Sequence, residues 1–350
     1  MPLEIASTLL LGGLVFWWGI RFGRMLLRRG ATANDLFKGK TSISLAFLGL
    51  YVGMLLLALY VPQWQWLPLE WRALGMRVTW TAMRVMLLGV CGIAAVVSWQ
   101  TVRIQVLAVA LIGILGLGSF VAAEAYLLAP IYPSLEDNLR ANGVFQQTSA
   151  SSCAPSAMAT VLRRWGIDAT ESSVAKFAGT SRLGTSMPQL IVAARKLGMD
   201  GVELTNTTWE QMQRINRPGV LASWLFSGNG RKLPHAIALL ELTHDTATIA
   251  DPALGKIYQL NRSQFARIWR REYVPFFRPE ETILSTAQAR EYLTRLGYLK
   301  TPQDSFTSAL QRFQSIAGLS ATGKLDRQTA LLLSGPFLVD VPTLNKREGT

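Results

Sequence analysis

Cys153 opens the run Cys153-Ala154-Pro155-Ser156-Ala157-Met158-Ala159-Thr160-Val161-Leu162. The residues after it favour a helix, and Pro155 suits a first helical turn. Ser151 and Ser152 stand where caps are preferred. The thiol is therefore expected at a helix N-terminus, whose partial positive charge favours the nucleophilic thiolate. A cysteine nucleophile needs a base, and the chain holds two histidines, His235 and His244. His235 follows the turn Gly228-Asn229-Gly230-Arg231-Lys232-Leu233-Pro234 and starts an apolar run, whereas His244 sits in the polar turn Thr243-His244-Asp245. A base must be held rigidly, so the strand end is the better seat. The base in turn needs an orienting acceptor. Asp251 ends the next strand-like run, Ile249-Ala250-Asp251-Pro252. If 235–250 form a hairpin, its outer ends lie side by side and His235 meets Asp251. Gln146 and Gln147 offer a side-chain amide just before the nucleophile, which with the Cys153 N–H could hold an oxyanion. The chemistry of such a set is acyl transfer through a thioester.

The elements that must position these groups follow from pattern. Helices are expected at 172–178, 187–197 and 209–216. Runs rich in Val, Ile, Leu and aromatics predict strands at 220–226, 235–242, 246–250 and 256–260, followed by a short helix at 264–270. Helices followed by an antiparallel sheet make an α+β domain.

With these residues in place, 143–277 resembles the papain-like cysteine peptidases that process bacteriocins at a double-glycine leader. Gln147, Cys153, Pro155, His235, Asp251 and Pro252 match that family's order, as do Gly184-Thr185-Ser186 and the Asp-Pro-x-x-Gly run ending at Gly255. The resemblance implies Cys153 as nucleophile, His235 as base, Asp251 as orienter and Gln147 as oxyanion donor. Ala154 replaces the family's usual Gly, and Ala236-Ile237-Ala238 replaces an aromatic followed by valines. Typical members are fused to an ATP-driven exporter, and this sequence shows no such motor.

Residues 283–334 form a second compact pattern, with helices expected at 287–296, 305–317 and 326–333. Leu293-x-x-Leu296-Gly297-Tyr298, Ala309-Leu310-x-x-Phe313-Gln314, Gly318-Leu319, Thr322-Gly323 and Leu325-Asp326-x-x-Thr329 resemble the three-helix peptidoglycan-binding domain. Gly318–Lys324 also imitates a phosphate loop. Leu325 stands where Ser or Thr must hold magnesium and no strand precedes it, so ATP is not expected. The type II secretion assembly ATPase pairs similar domains.

The remaining third differs in composition. The chain is 50% hydrophobic and 16% charged, against about 25% charged in soluble proteins. Residues 1–128 hold 10 Lys/Arg and 4 Asp/Glu, and 129–350 hold 25 and 18. Four apolar segments, about 5–20, 42–61, 79–99 and 104–128, approach the ~20 residues of a membrane-crossing helix. Arg84 interrupts the third near one end and is expected to reach the interface. Glu124 is expected at the outer interface or facing another helix. Arg21, Arg24, Arg28, Arg29, Lys38 and Lys40 follow the first segment, while Arg72 and Arg77 lie between the second and third. Positive charge stays cytoplasmic, so the large C-terminal region is expected outside.

The expectation is thus a multi-domain chain. It has a four-helix transmembrane region (1–128), a linker (129–142), a papain-like peptidase domain (143–277), a peptidoglycan-binding-like domain (283–334) and a tail (335–350). It would sit in a bacterial inner membrane and face the periplasmic or extracellular side. Its partners would be a peptide or protein substrate, peptidoglycan and the lipid bilayer. No cofactor, metal or nucleic acid is implied despite the net charge of +13, because the basic residues form no basic helix, zinc spacing or RNA-binding signature. The alternative is a catalytically inactive scaffold that binds peptidoglycan and envelope or secretion proteins.

Overall fold

The computed structural model describes residues 2–32, 64–226, 228, 230–301 and 303–345, with positions 49, 52, 53, 56 and 60. The chain divides into two compact units, Met1–Ala129 and Pro130–Thr350.

In the first unit, α1 (Pro2–Arg28), α2 (Leu69–Thr101) and α3 (Gln105–Leu127) are long helices. Each contains a span long and apolar enough to cross a membrane: Ala6–Arg28, Arg77–Thr101 and Gln105–Leu127. These overlie the first, third and fourth expected segments, and the second, 42–61, lies mostly outside the described residues. Glycines let α1 and α2 touch backbone to backbone. A Cβ on Gly19 would lie 2.3 Å from the Gly89 carbonyl, and one on Gly92 2.3 Å from the Phe16 carbonyl. The contacts climb both helices together, from Gly12 and Leu88 to Gly23 and Val96, so α1 and α2 run parallel. The helices α2 and α3 run antiparallel, with Gly116 against Leu87, Phe120 against Trp80 and Glu124 against Arg84. The helix begins at Leu69, not near 79, so Arg84 lies mid-helix, buried and ion-paired with Glu124, which faces another helix as one of its two expected placements.

The second unit is built on an antiparallel sheet. Its strands are β3 (Asp200–Gly201), β4 (Leu204–Thr205), β5 (Gly219–Phe226), β6 (Lys232–Leu242), β7 (Thr246–Asp251), β8 (Lys256–Asn261) and β9 (Trp269–Phe277). The order is β3-β9-β5-β6-β7-β8, with β4 also on β9, and a separate pair joins β1 (Asn138–Leu139) to β2 (Phe145–Gln146). Helices α4 (Cys153–Arg164), α5 (Glu171–Ala178), α6 (Met187–Lys196) and α7 (Trp209–Ile215) precede β5, and α8 (Arg262–Ile268) precedes β9. The expected α+β order holds, while the helix placed at 264–270 stops at Ile268. The interior strand β9 escaped the sequence reading because Arg270, Arg271, Glu272 and Pro275 all speak against an inner strand. Gly219 accommodates it: a Cβ there would sit 2.2 Å from the Val274 carbonyl.

The C-terminal helices α9 (Thr286–Arg295), α10 (Phe306–Ile316) and α11 (Arg327–Ser334) start at caps, where Ser285, Ser305 and Asp326 accept backbone N–H bonds. Their apolar faces continue the sheet's core without a break, from Leu221, Ile237 and Phe265 to Leu293, Leu310, Phe313 and Leu332. Arg217, fully buried, donates to Glu281, to the Ile215 and Leu331 carbonyls and to Ser334. Arg327 pairs with Asp200 at 2.8 Å. Two expected segments are corrected here. The linker 129–142 is largely structured: Ile131 is buried and the Asp137 carboxylate accepts the Ser172 N–H and hydroxyl. The tail is anchored too. Leu344 is buried, and its carbonyl accepts the Leu242 N–H at 2.9 Å. Leu344 joins the common core.

Candidate active site

Cys153 is the first residue of α4, a free and half-buried thiol. Ser152 precedes it but does not cap the helix through its side chain. Its hydroxyl donates to the Ser149 carbonyl at 2.9 Å and accepts the Ser149 N–H at 3.1 Å, which closes the loop against the helix end. The Cys153 N–H lies in the first turn, whose donors have no partner within the helix.

The loop before the thiol is pinned from α5. Glu171, fully buried, accepts both the N–H and the hydroxyl of Thr148 at 2.9 Å. Ser151 donates to the Arg182 carbonyl at 2.7 Å. Sequence reasoning missed Glu171. An acid in a first helical turn reads as a dipole partner, and only its burial reveals that it clamps a loop.

His235 lies in β6, buried, and its Nε2 meets Asp251 Oδ1 at 2.7 Å. The register is not the simple one. Ala238 pairs with Ala250, and a bulge between Leu239 and Glu241 offsets the hairpin. Asp251 thus faces the residue after Ala236, and the side chains reach His235 diagonally, a separation that long side chains span. Asp251 Oδ1 also accepts the Ala253 N–H at 2.9 Å, so one carboxylate both closes the Asp-Pro turn and holds the imidazole. Beyond that turn, Gly255 has φ +62°, and a Cβ there would press to 3.0 Å on Arg140 and Gln146.

The Cys153 side chain lies near enough to the His235 ring to act on its protonation. Burial, the largest single influence, disfavours the imidazolium, but the hydrogen bonds and charges of Asp251 and Cys153 outweigh it and raise the His235 pKa to about 9. The environment thus favours the protonated imidazole.

Gln147 Nε2 donates to the Ser149 carbonyl at 2.9 Å and its N–H to the Pro252 carbonyl at 2.9 Å. The Ser149 bond orients the amide and uses one of its two hydrogens. Gln146 is engaged elsewhere, accepting from Arg140 Nε at 2.6 Å. His244 is an exposed turn residue bonded to its neighbour Asp245. In the Gly318–Lys324 loop, Gln314 occupies the interior, donating to Thr322, Thr329 and the Lys324 carbonyl and accepting the Gly323 N–H.

A thiol on a helix N-terminus, an imidazole on an antiparallel strand and a carboxylate on the next define a papain-like site class. Residues 142–282 match the peptidase C39 family, and residues 285–333 match a peptidoglycan binding domain family. An uncharacterized protein of Methanothermobacter thermautotrophicus is 33% identical over 138 residues, 39% of this chain and 89% of the relative. The chain thus carries a peptidase C39 domain followed by a peptidoglycan binding domain. Among solved structures, the peptidase domain of Streptococcus ComA, a bifunctional ABC transporter involved in a quorum sensing pathway, is 17% identical. It covers 38% of this chain and 96% of its own at a TM-score of 0.34. A periplasmic domain of the EpsAB fusion protein of the Vibrio vulnificus type II secretion system is 12% identical, covering 56% and 82% at a TM-score of 0.30.

Proposed function

We propose that the protein is a membrane-anchored cysteine peptidase that cuts peptide bonds beside the cell wall, using Cys153, His235, Asp251 and Gln147. The observation that carries this reading is the His235 ring, flanked by Asp251 on one nitrogen and by the Cys153 side chain. The Cys153 thiolate adds to the scissile carbonyl carbon. The oxyanion so formed is held by the Cys153 N–H and the free hydrogen of the Gln147 amide. The His235 imidazolium gives its proton to the leaving amine as the C–N bond breaks. Neutral His235 then takes a proton from water, whose oxygen attacks the thioester, and the thiol leaves with that proton. Asp251 keeps the ring in position throughout.

The first unit would anchor this machinery in the inner membrane. Parallel α1 and α2, if both cross, need a return pass between them, and the apolar run 42–61 has the length for it. Four crossings with the basic segment 21–40 inside put the catalytic unit on the periplasmic or extracellular side. The peptidoglycan-binding module fits that side.

The test is the rate of Cys153 alkylation by iodoacetamide against pH, for the wild type and His235→Ala. Rapid alkylation persisting well below neutral pH in the wild type, and lost in His235→Ala, is the expected result. An equally slow thiol in both proteins overturns the mechanism and leaves a scaffold that binds wall and envelope proteins. Cys153→Ala is expected to abolish hydrolysis altogether.

A further inference from the structure

A cleft of about 440 Å³ opens beside His235 and Asp251, between the sheet and α8. Its size falls within the roughly 300–1,000 Å³ of ligand pockets. Trp224, Ile237, Leu260 and Ile268 line it, and Arg267 stands at the rim. Neither Cys153, Gln147 nor any other residue of α4 contributes to it. Ser223 also lines it. That residue pairs with His235 across β5 and β6, and its buried hydroxyl has no hydrogen-bond partner among the described residues. The structure thus holds an apolar trough with an unspent polar group in its lining, next to the imidazole and without Cys153 in its wall.

The chemistry of the site gives this trough a direction. His235 protonates the leaving amine, so the residues after the scissile bond must depart past the imidazole. The oxyanion donors and the acyl group lie on the other side, by Cys153. A cleft that touches His235 and Asp251 but not α4 is on the leaving-group side. Its surroundings are basic. Arg267 is exposed, Lys232 sits 5.7 Å from the Phe226 ring, and Arg270 lies over Trp224 while paired with Glu272 at 3.2 Å. The one acid in the lining, Asp251, is bound to His235.

We propose that this cleft selects the leaving segment of the substrate, taking a large apolar side chain just after the scissile bond next to an acidic residue that meets Arg267. The Ser223 hydroxyl bonds the backbone of that segment. The proposal rests on the peptidase reading, since the leaving-group direction comes from the role of His235.

The experiment uses the full chain in lipid nanodiscs and three free-amine hexapeptides, labelled with fluorescein at the C-terminus, that begin Leu-Glu, Leu-Lys and Gly-Gly. Fluorescence anisotropy is expected to show Leu-Glu binding at least tenfold tighter than Gly-Gly and severalfold tighter than Leu-Lys. Ile268→Asp should remove the preference for Leu, while Ile268→Val keeps it. Arg267→Glu, a surface change that leaves the core intact, should reverse the order of Leu-Glu and Leu-Lys, and it decides the matter should Ile268→Asp not fold. Equal affinities, no measurable binding, or a preference untouched by Arg267→Glu would overturn the proposal. An inert Cys153 in a protein that still prefers Leu-Glu would instead strike the peptidase reading and spare the cleft as a binding site.

Discussion

Arg84 and Arg217 are both arginines buried in apolar surroundings, one in each unit, and they are satisfied in different ways. Arg217 donates to Glu281 and Ser334 and to the Ile215 and Leu331 carbonyls. Arg84 donates to Glu124 at 2.5 Å and Thr81 at 3.1 Å, and its Nε has no partner among the described residues. The difference follows from what each environment can lend. The second unit has helix ends near its core, where α7 and α11 stop and their last carbonyls look for donors. Long apolar helices spend nearly every carbonyl internally, so a guanidinium between them depends on side chains alone. Burial pulls the Arg217 pKa down and Glu281 opposes it, which makes the carboxylate the partner that keeps the charge in place.

The sharpest way to break this comparison is Arg217→Ala. It strands the Glu281 carboxylate at the junction of the sheet and the C-terminal helices, and the unit should lose about 3–5 kcal/mol. Pulse proteolysis of the full chain in urea measures it, and a loss near zero would mean that the apolar core alone joins the modules. Gly92→Leu asks whether backbone proximity holds the first unit. Its side chain would collide with the Phe16 carbonyl, with an expected cost of about 1–3 kcal/mol in detergent melting. Arg84→Met should cost about 0.6–1.7 kcal/mol, the scale of hydrogen bonds between membrane helices. Adding Glu124→Leu should recover most of that, and a further loss in the double variant would show that the pair is more than mutual neutralisation.

A further way to sharpen the picture is pH. His235 is raised from 6.5 to about 9 in the folded chain. Its contribution to stability is therefore full below pH 6.5 and is lost as pH rises through about 9. Unfolding followed across that window should show the decline, and Asp251→Asn should flatten it.

Much of the candidate site was legible because its members sit at pattern boundaries. A lone thiol at a helix start, a histidine where a strand begins and an Asp-Pro where one ends can be found by inspection. Harder to read were groups whose role depends on distant partners. Glu171 looks like a helix-start acid until Thr148 is seen against it. Ser223 looks like an ordinary strand residue until the cleft at its side appears. Strand β9 was hidden by its charges and Pro275, and a partner lacking a Cβ at Gly219 accommodates it.

What the sequence determined by itself was the kinds of reactive group and the kinds of element. Residue type sets reactivity, and local periodicity sets helix or strand. Only the tertiary structure decided which surfaces are shared. The stretch read as linker and the described part of the tail pack into the second unit, the two expected soluble domains have one core, and Arg84 meets Glu124 across two helices. These outcomes depend on apolar area and charge meeting across long separations in sequence, and no local pattern encodes which of the possible partners is met.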